Sequence, residues 1–353
     1  MKRIGCMTSC SKRSVILSAA KNPLLRVRTR HGFFAAIRMT RAEGILVFRN
    51  SLRFLPLLLA VSLLTAAEDE SLFTATPLTE INSFTKGVEG PACDASGNVY
   101  AVNFGAQQTI GKITPDGKAE VFVTLPGKSV GNGIRFSPTG IMYVADYAGH
   151  NVLRIDPQTR AVTVHAHQPE MNQPNDLALA PDGTLFASDP DWKNQKGQIW
   201  RVAANGSVTR VAADMGTTNG IEVSPDGKSL YVNESVQRNV WVFDIAADGA
   251  LAGKRLIKQF PDFGFDGMRC DVDGNLYITR HGKGTVVKMT PQGEVLKEIG
   301  VLGANPTNIC FGGPDGRTAY VTEAEHRRLV QFRVDRPGNE WRMWQKPANA
   351  KGR

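Results

Sequence analysis

The sequence predicts an all-β protein, a six-bladed β-propeller with four-stranded antiparallel blades. Three observations predict it. One nine-residue segment occurs six times, its copies are spaced 43, 43, 44, 47 and 42 residues apart, and each repeat holds about four short strand patterns separated by turn residues. Four strands per unit at that period is the pattern of a propeller blade. The composition agrees: 35 Gly and 19 Pro in 353 residues fit a turn-rich chain, and 42% apolar residues suffice for a packed core.

The elements follow in order within each repeat. Strand one is the repeated segment: EGPACDASG from Glu89, NGIRFSPTG from Asn132, NDLALAPDG from Asn175, NGIEVSPDG from Asn219, DGMRCDVDG from Asp266 and NICFGGPDG from Asn308. Its ninth residue is always Gly, preceded by Asp, Ser or Thr, which is the chemistry of a tight turn. Strand two carries an aromatic (Tyr100, Tyr143, Phe186, Tyr231, Tyr277, Tyr320), as in MYVADY and LYITRH. Strand three alternates at period two, as in VLRID, IWRVA and VWVFDI. A second turn follows, such as Pro115-Asp116-Gly117 or Asn205-Gly206, and then strand four, such as AEVFVTL. The six units fill residues 85–335, with no convincing amphipathic helix longer than three turns. Residues 72–84, LFTATPLTEINSF, read as an extra strand that completes the outer edge of the last blade and closes the ring. A linear solenoid is the alternative.

The net charge of +9 belongs to the N-terminus. Of 42 Lys and Arg, 12 lie in residues 1–67 beside a single acid, Glu43, which leaves 30 basic against 32 acidic residues in 68–353. A basic groove for nucleic acid is therefore not expected. Phe54–Ala67, FLPLLLAVSLLTAA, is uncharged, too short to span a bilayer and followed by Glu68-Asp69-Glu70. It reads as a signal peptide cleaved near Ala67, so the expectation is a secreted or periplasmic protein with no membrane contact after cleavage. An uncleaved anchor or a buried helix is the other reading, and either Met1 or Met39 could be the start. The expected organisation is thus a targeting segment over 1–67 and a single propeller domain over 68–353. Cys93, Cys270 and Cys310 are odd in number, lack CxxC spacing and sit in apolar strand patterns, so they read as buried small hydrophobes.

In a propeller, strand one of each blade lines the central channel. The first register of the repeat then forms a ring of Glu89, Asn132, Asn175, Asn219, Asp266 and Asn308, all bearing oxygen. Buried carboxylates are costly unless paired or metal-bound, and no Lys or Arg shares the register. A divalent cation is the economical partner. Two carboxylates with amide oxygens suit a hard ion, Ca²⁺ first, with Zn²⁺ or Mn²⁺ as alternatives; the absence of His and Cys argues against a structural Zn²⁺ site.

EGPACDASGNVYAVNF, QPNDLALAPDGTLFASDP, TNGIEVSPDGKSLYVNES, DGMRCDVDGNLYITRHG and PTNICFGGPDGRTAYVTE together resemble the SMP-30/gluconolactonase family of six-bladed propellers, over essentially all of residues 85–335. The resemblance implies metal-dependent hydrolysis, typically of sugar lactones. It also implies metal ligands at Glu89, Asn175, Asn219 and Asp266. Some members place an Arg two residues before the third-blade Asn to contact substrate; this chain has Gln173 there.

Asp266 is the candidate catalytic residue, as a general base or as a direct nucleophile. Asn132 and Asn308 are candidate substrate contacts. So are Asp189, at the start of the longest insert between strands two and three, and Arg280-His281, a basic pair where other blades carry Asp146, Asp189, Glu234 and Glu323. The expected partner is a small-molecule substrate, with no nucleic acid and no obligate protein partner. Two other readings stand beside the lactonase: a phosphotriesterase-like hydrolase on the same scaffold, and a non-catalytic ligand-binding propeller.

Overall fold

The computed structural model describes residues 72–345. The expected targeting segment, residues 1–67, lies outside them. Apart from one short helix, the described chain is built of strands arranged in six four-stranded antiparallel sheets. β1 (Thr76–Pro77) precedes the first blade. Blade one is β2 (Phe84–Cys93), β3 (Val99–Phe104), β4 (Thr109–Ile113) and β5 (Ala119–Thr124). Blade two is β6 (Gly131–Phe136), β7 (Met142–Asp146), β8 (Asn151–Ile155) and β9 (Val162–His167). Blade three is β10 (Leu177–Leu179), β11 (Leu185–Asp191), β12 (Lys196–Val202) and β13 (Val208–Met215). Blade four is β14 (Thr218–Val223), β15 (Ser229–Glu234), β16 (Asn239–Ile245) and β17 (Leu251–Gln259). Blade five is β18 (Met268–Cys270), β19 (Leu276–Arg280), β20 (Thr285–Met289) and β21 (Val295–Gly300).

Blade six is β22 (Pro306–Gly312), β23 (Thr318–Glu323) and β24 (Arg328–Arg333), completed on its outer edge by β1. Thr76 pairs with Gln331 and Pro77 with Val330. The N-terminal strand thus closes the ring as the sequence predicts. Proline fits here because an outer edge leaves the missing N–H without consequence.

The turn glycine of each repeat is the reason strands one and two can fold back on each other. Gly97, Gly140, Gly183, Gly227, Gly274 and Gly316 all lie at φ between 71° and 89°, a left-handed conformation open to glycine. Strand-two aromatics then turn towards the following blade. Tyr100 packs with Ile134 and Phe136, Phe186 with Ile221, Tyr231 with Met268, Tyr277 with Phe311, and Tyr320 with Cys93 of blade one. The apolar core is accordingly a series of clusters, each between neighbouring blades. Cys93, Cys270 and Cys310 are buried thiols, and the Cys93 and Cys310 sulfurs meet at 3.6 Å across the junction of blades six and one.

Inner strands are largely buried, and wholly so in β14 and β22, whereas the outer β21 is largely exposed. After β24 the chain runs from the outer side of blade six towards the axis, and the described residues close with α1 (Asn339–Gln345). Gly338 bridges Asp271, and Val272 N–H donates to Pro337 O at 2.9 Å.

Candidate metal centre

The strand ladder breaks at the predicted ring. Register shifts flank Glu89 in β2 and fall between Gly131 and Ile134, between Thr218 and Ile221, and between Pro306 and Asn308. In blades three and five regular pairing begins only after Asn175 and Asp266. An interrupted ladder frees the chain to turn a side chain inward, as bulges commonly do beside functional sites. Neighbouring blades are tied together at the same level. Gly133 N–H donates to Asn175 O at 2.8 Å, and Gly220 N–H donates to Asp266 O at 2.9 Å. Gly133 permits this approach because a Cβ there would lie 3.0 Å from Asn175 O and 2.5 Å from Asp176 Oδ1.

Glu89 and Asn219 each have one face oriented by hydrogen bonds. Glu89 Oε2 accepts from Gly90 N–H and from Asn308 Nδ2, the latter at 3.0 Å. Its other oxygen, Oε1, is buried without a hydrogen-bond partner. Asn219 Nδ2 donates to Ser235 Oγ at 3.0 Å, and Ser235 in turn donates to Phe265 O at 2.7 Å. That chain leaves Asn219 Oδ1 buried and unpartnered, and Asn175 Oδ1 is in the same state. The Asp266 carboxyl stands next to Glu89 and Asn219. Burial pushes the Glu89 carboxyl up to about 7, with Asp176 adding to the rise. Burial raises Asp266 well above the usual carboxylate range, and the adjacent Glu89 raises it further. Two carboxylates in one buried site, with unsatisfied oxygens on Glu89, Asn175 and Asn219, form a donor set whose chemistry suits a hard cation.

A cavity of about 310 Å³ opens beside this cluster, lined by Asn132, Tyr147, Gln173, Asn175 and Trp192. Asn132 therefore stands where a substrate contact is expected. Asn308 does not: it is buried, Oδ1 accepts from Ile309 N–H at 2.8 Å, and Nδ2 is given to Glu89. It orients the Glu89 carboxylate and does not line the cavity.

Two further expectations need correction. Asp189 is wholly buried and its carboxylate is saturated by Asn172 N–H, Gln173 N–H, Gln198 Nε2 and Trp200 Nε1. It clamps the chain entering blade three, and the insert is an extension of the β11–β12 hairpin in which Asp189 pairs with Gln198. Arg280 is buried too. Its guanidinium pairs with Asp262 at 2.7 Å and stacks over Phe260 and Phe265, so it is not free to hold an anion. His281 stands exposed at the β19–β20 turn.

The strand-two acids share one task. Asp146 accepts from Ser129, Val130 N–H and Gly149 N–H, and Glu234 accepts from Gly216 N–H and Asn239. Glu323 accepts from Asn305, Glu325 and His326 N–H. Glu323, Glu325 and His326 also bring one possible metal-binding atom each within 4.8 Å of one another, but Glu323 is already committed to these backbone groups.

Sequence reasoning missed an ion network beneath the ring. Asp176 bridges Arg135 at 3.2 Å and Arg269 at 3.1 Å, Arg135 reaches Glu222 at 3.4 Å, and Arg269 Nε meets Glu340 Oε1 of α1 at 2.6 Å. All five are buried. Burial pushes Glu340 up to about 7 while Arg135 opposes the rise. The signal was present: Arg135, Glu222 and Arg269 are charged at a register where other blades have Ala92, Ala178 and Phe311.

Residues 89–325 match the model of the SMP-30/Gluconolactonase/LRE-like region. A gluconolactonase of Zymomonas mobilis is 27% identical over 298 aligned residues, covering 73% of this chain and 82% of that protein. A 6-deoxy-6-sulfogluconolactonase of Pseudomonas putida is 29% identical over 169, covering 46% of this chain and 58% of that protein. The crystal structure of regucalcin from Agrobacterium tumefaciens, described as a calcium-binding protein, superposes with a TM-score of 0.65 at 23% identity, over 74% of this chain and 94% of that one. With six blades around an oxygen-lined axis and a family match running from the first blade into the last, the chain belongs to the SMP-30/gluconolactonase family.

Proposed function

We propose that the protein is a divalent-metal-dependent hydrolase that opens sugar lactones or similar cyclic esters. One observation carries this reading: Glu89 Oε1, Asn175 Oδ1 and Asn219 Oδ1 are buried without partners in the ring that contains Asp266, and Asn175 also lines a substrate-sized cavity. Two carboxylates and two amide oxygens fit a hard cation, Ca²⁺ first and Zn²⁺ or Mn²⁺ next, held by Glu89, Asn175, Asn219 and Asp266. When bound, such an ion supplies polarisation of the ester carbonyl and stabilisation of the charge that develops on its oxygen.

The chain's own residues supply the rest. Asp266 takes the proton of the attacking water, a role suited by burial that raises its proton affinity. Asn132 and Gln173 offer amide groups to substrate hydroxyls, and Tyr147 and Trp192 wall the site with aromatic surface. The neutral Gln173 favours an uncharged lactone over an anionic one. The name of one relative, gluconolactonase, supports an uncharged sugar lactone as the substrate class.

The test is metal analysis of the purified protein coupled to a panel of aldonolactones with Ca²⁺, Zn²⁺ or Mn²⁺ added. A stoichiometric divalent ion and metal-dependent turnover are expected. Neither an ion nor turnover with any of the three would overturn the reading.

A further inference from the structure

We propose that Glu340, on the C-terminal helix α1, is a positioning residue for the axial metal ligands and acts through Arg269 and Asn308. The proposal rests on the metal reading above, and it concerns a residue beyond the matched family region of 89–325.

The helix closes the far end of the axis. Arg342 Nη2 donates to Pro225 O at 2.8 Å, in the β14–β15 turn, and Gly338 N–H donates to Gly316 O at 2.9 Å, in the β22–β23 turn. Glu340 therefore reaches up the channel from below. Its Oε1 lies 2.6 Å from Arg269 Nε, an ion pair that acts through charge and proximity and not through an aligned hydrogen bond. Arg269 Nη1 donates to Met268 O at 2.7 Å, to Asp176 Oδ2 at 3.1 Å and to Asn308 Oδ1 at 3.3 Å. Asn308 Oδ1 also accepts from Ile309 N–H at 2.8 Å. Two donors on the oxygen fix the amide so that its NH₂ faces Glu89 and donates to Oε2 at 3.0 Å. Glu89 Oε1 is then the oxygen left free for a cation.

Charge points the same way. The floor of the site contains two guanidiniums, Arg135 and Arg269, and three carboxylates, Asp176, Glu222 and Glu340. With Glu340 the floor carries one more carboxylate than guanidinium, a negative excess that attracts a cation above it; without Glu340 the count is two against two, the excess is lost, and Arg269 shares Asp176 with Arg135. Glu340 both holds the arginine in place and cancels its field.

The experiment is Ca²⁺ titration by calorimetry of the full chain and of Glu340→Gln. The variant is expected to bind Ca²⁺ about ten- to a hundredfold more weakly, the usual cost of removing a residue that supports a ligand. Lactone turnover at saturating Ca²⁺ is expected to recover, so that the metal requirement shifts more than kcat. Arg342→Ala is the control: it loosens the same helix without touching the network, and is expected to lower the melting temperature and leave Ca²⁺ affinity unchanged. Should Glu340→Gln fail to fold, the double variant Arg269→Met/Glu340→Leu replaces the ion pair with apolar packing and is expected to fold and bind Ca²⁺ weakly. Wild-type affinity in either folded variant, or equal weakening in Arg342→Ala, overturns the proposal alone. A wild-type protein that binds no divalent ion overturns the metal reading and this proposal together.

Discussion

Glu89 and Asp266 share a buried site, and the guanidiniums below them pair with other acids. In an unfolded chain both ionise in the ordinary carboxylate range; folded, Glu89 titrates near 7 and Asp266 is also raised. The native metal-free protein therefore binds more protons than the unfolded one, and its stability falls as pH rises from about 4.5 through 7. Denaturant unfolding in chelator at pH 5.5 and pH 8 should show that loss. Asp266→Asn removes one like charge, so the metal-free variant should gain about 1–3 kcal/mol at pH 8 while losing metal binding and turnover. A variant with unchanged turnover would remove Asp266 from the mechanism. The ring register could be read from sequence because six copies align it. The roles of Asp189 and Arg280 could not, because their partners, Asn172 and Asp262, lie on separate segments that only folding brings near.

At the scale of elements, turn glycines and period-two strands make the blades readable from the residue pattern by itself. The breaks in the inner ladders are not, since a bulge leaves that pattern almost unchanged. Nor is α1, whose seven residues are too few to be helical without the contacts that hold them. The strand-two acids are visible as a series, but their common work as loop clamps requires the backbone N–H groups in place. Removing such a clamp leaves several buried donors unpaired. Asp189→Ala is therefore expected to cost about 2–4 kcal/mol in chemical unfolding. Because Asp189 also holds Gln173 N–H, the same variant should raise KM for lactone more than it lowers kcat.

Across the whole molecule, the ring depends on one junction, where β1 completes blade six and blade-one residues pack on Cys310 and Tyr320. The axis is the other place where all blades meet, through Glu89, Asn132, Asn175, Asn219, Asp266 and Asn308. A cation held by four of them would tie blades one, three, four and five to a common point and relieve the carboxylate pair. Its binding to the folded state alone adds stability that grows with the logarithm of free ion, about 2.7 kcal/mol at a hundredfold excess over Kd. For a domain of this size that amounts to roughly 5–10 °C in melting temperature. Chelation should lower the melting temperature by that amount, and added Ca²⁺ should restore it. Gly133→Ala gives the sharper form of the test. Its Cβ would press on Asp176 and Asn175, so the ligand set stays chemically intact while its spacing changes. The Ca²⁺-dependent part of the melting shift should shrink. An undiminished shift would show that the axial oxygens do not hold the ion.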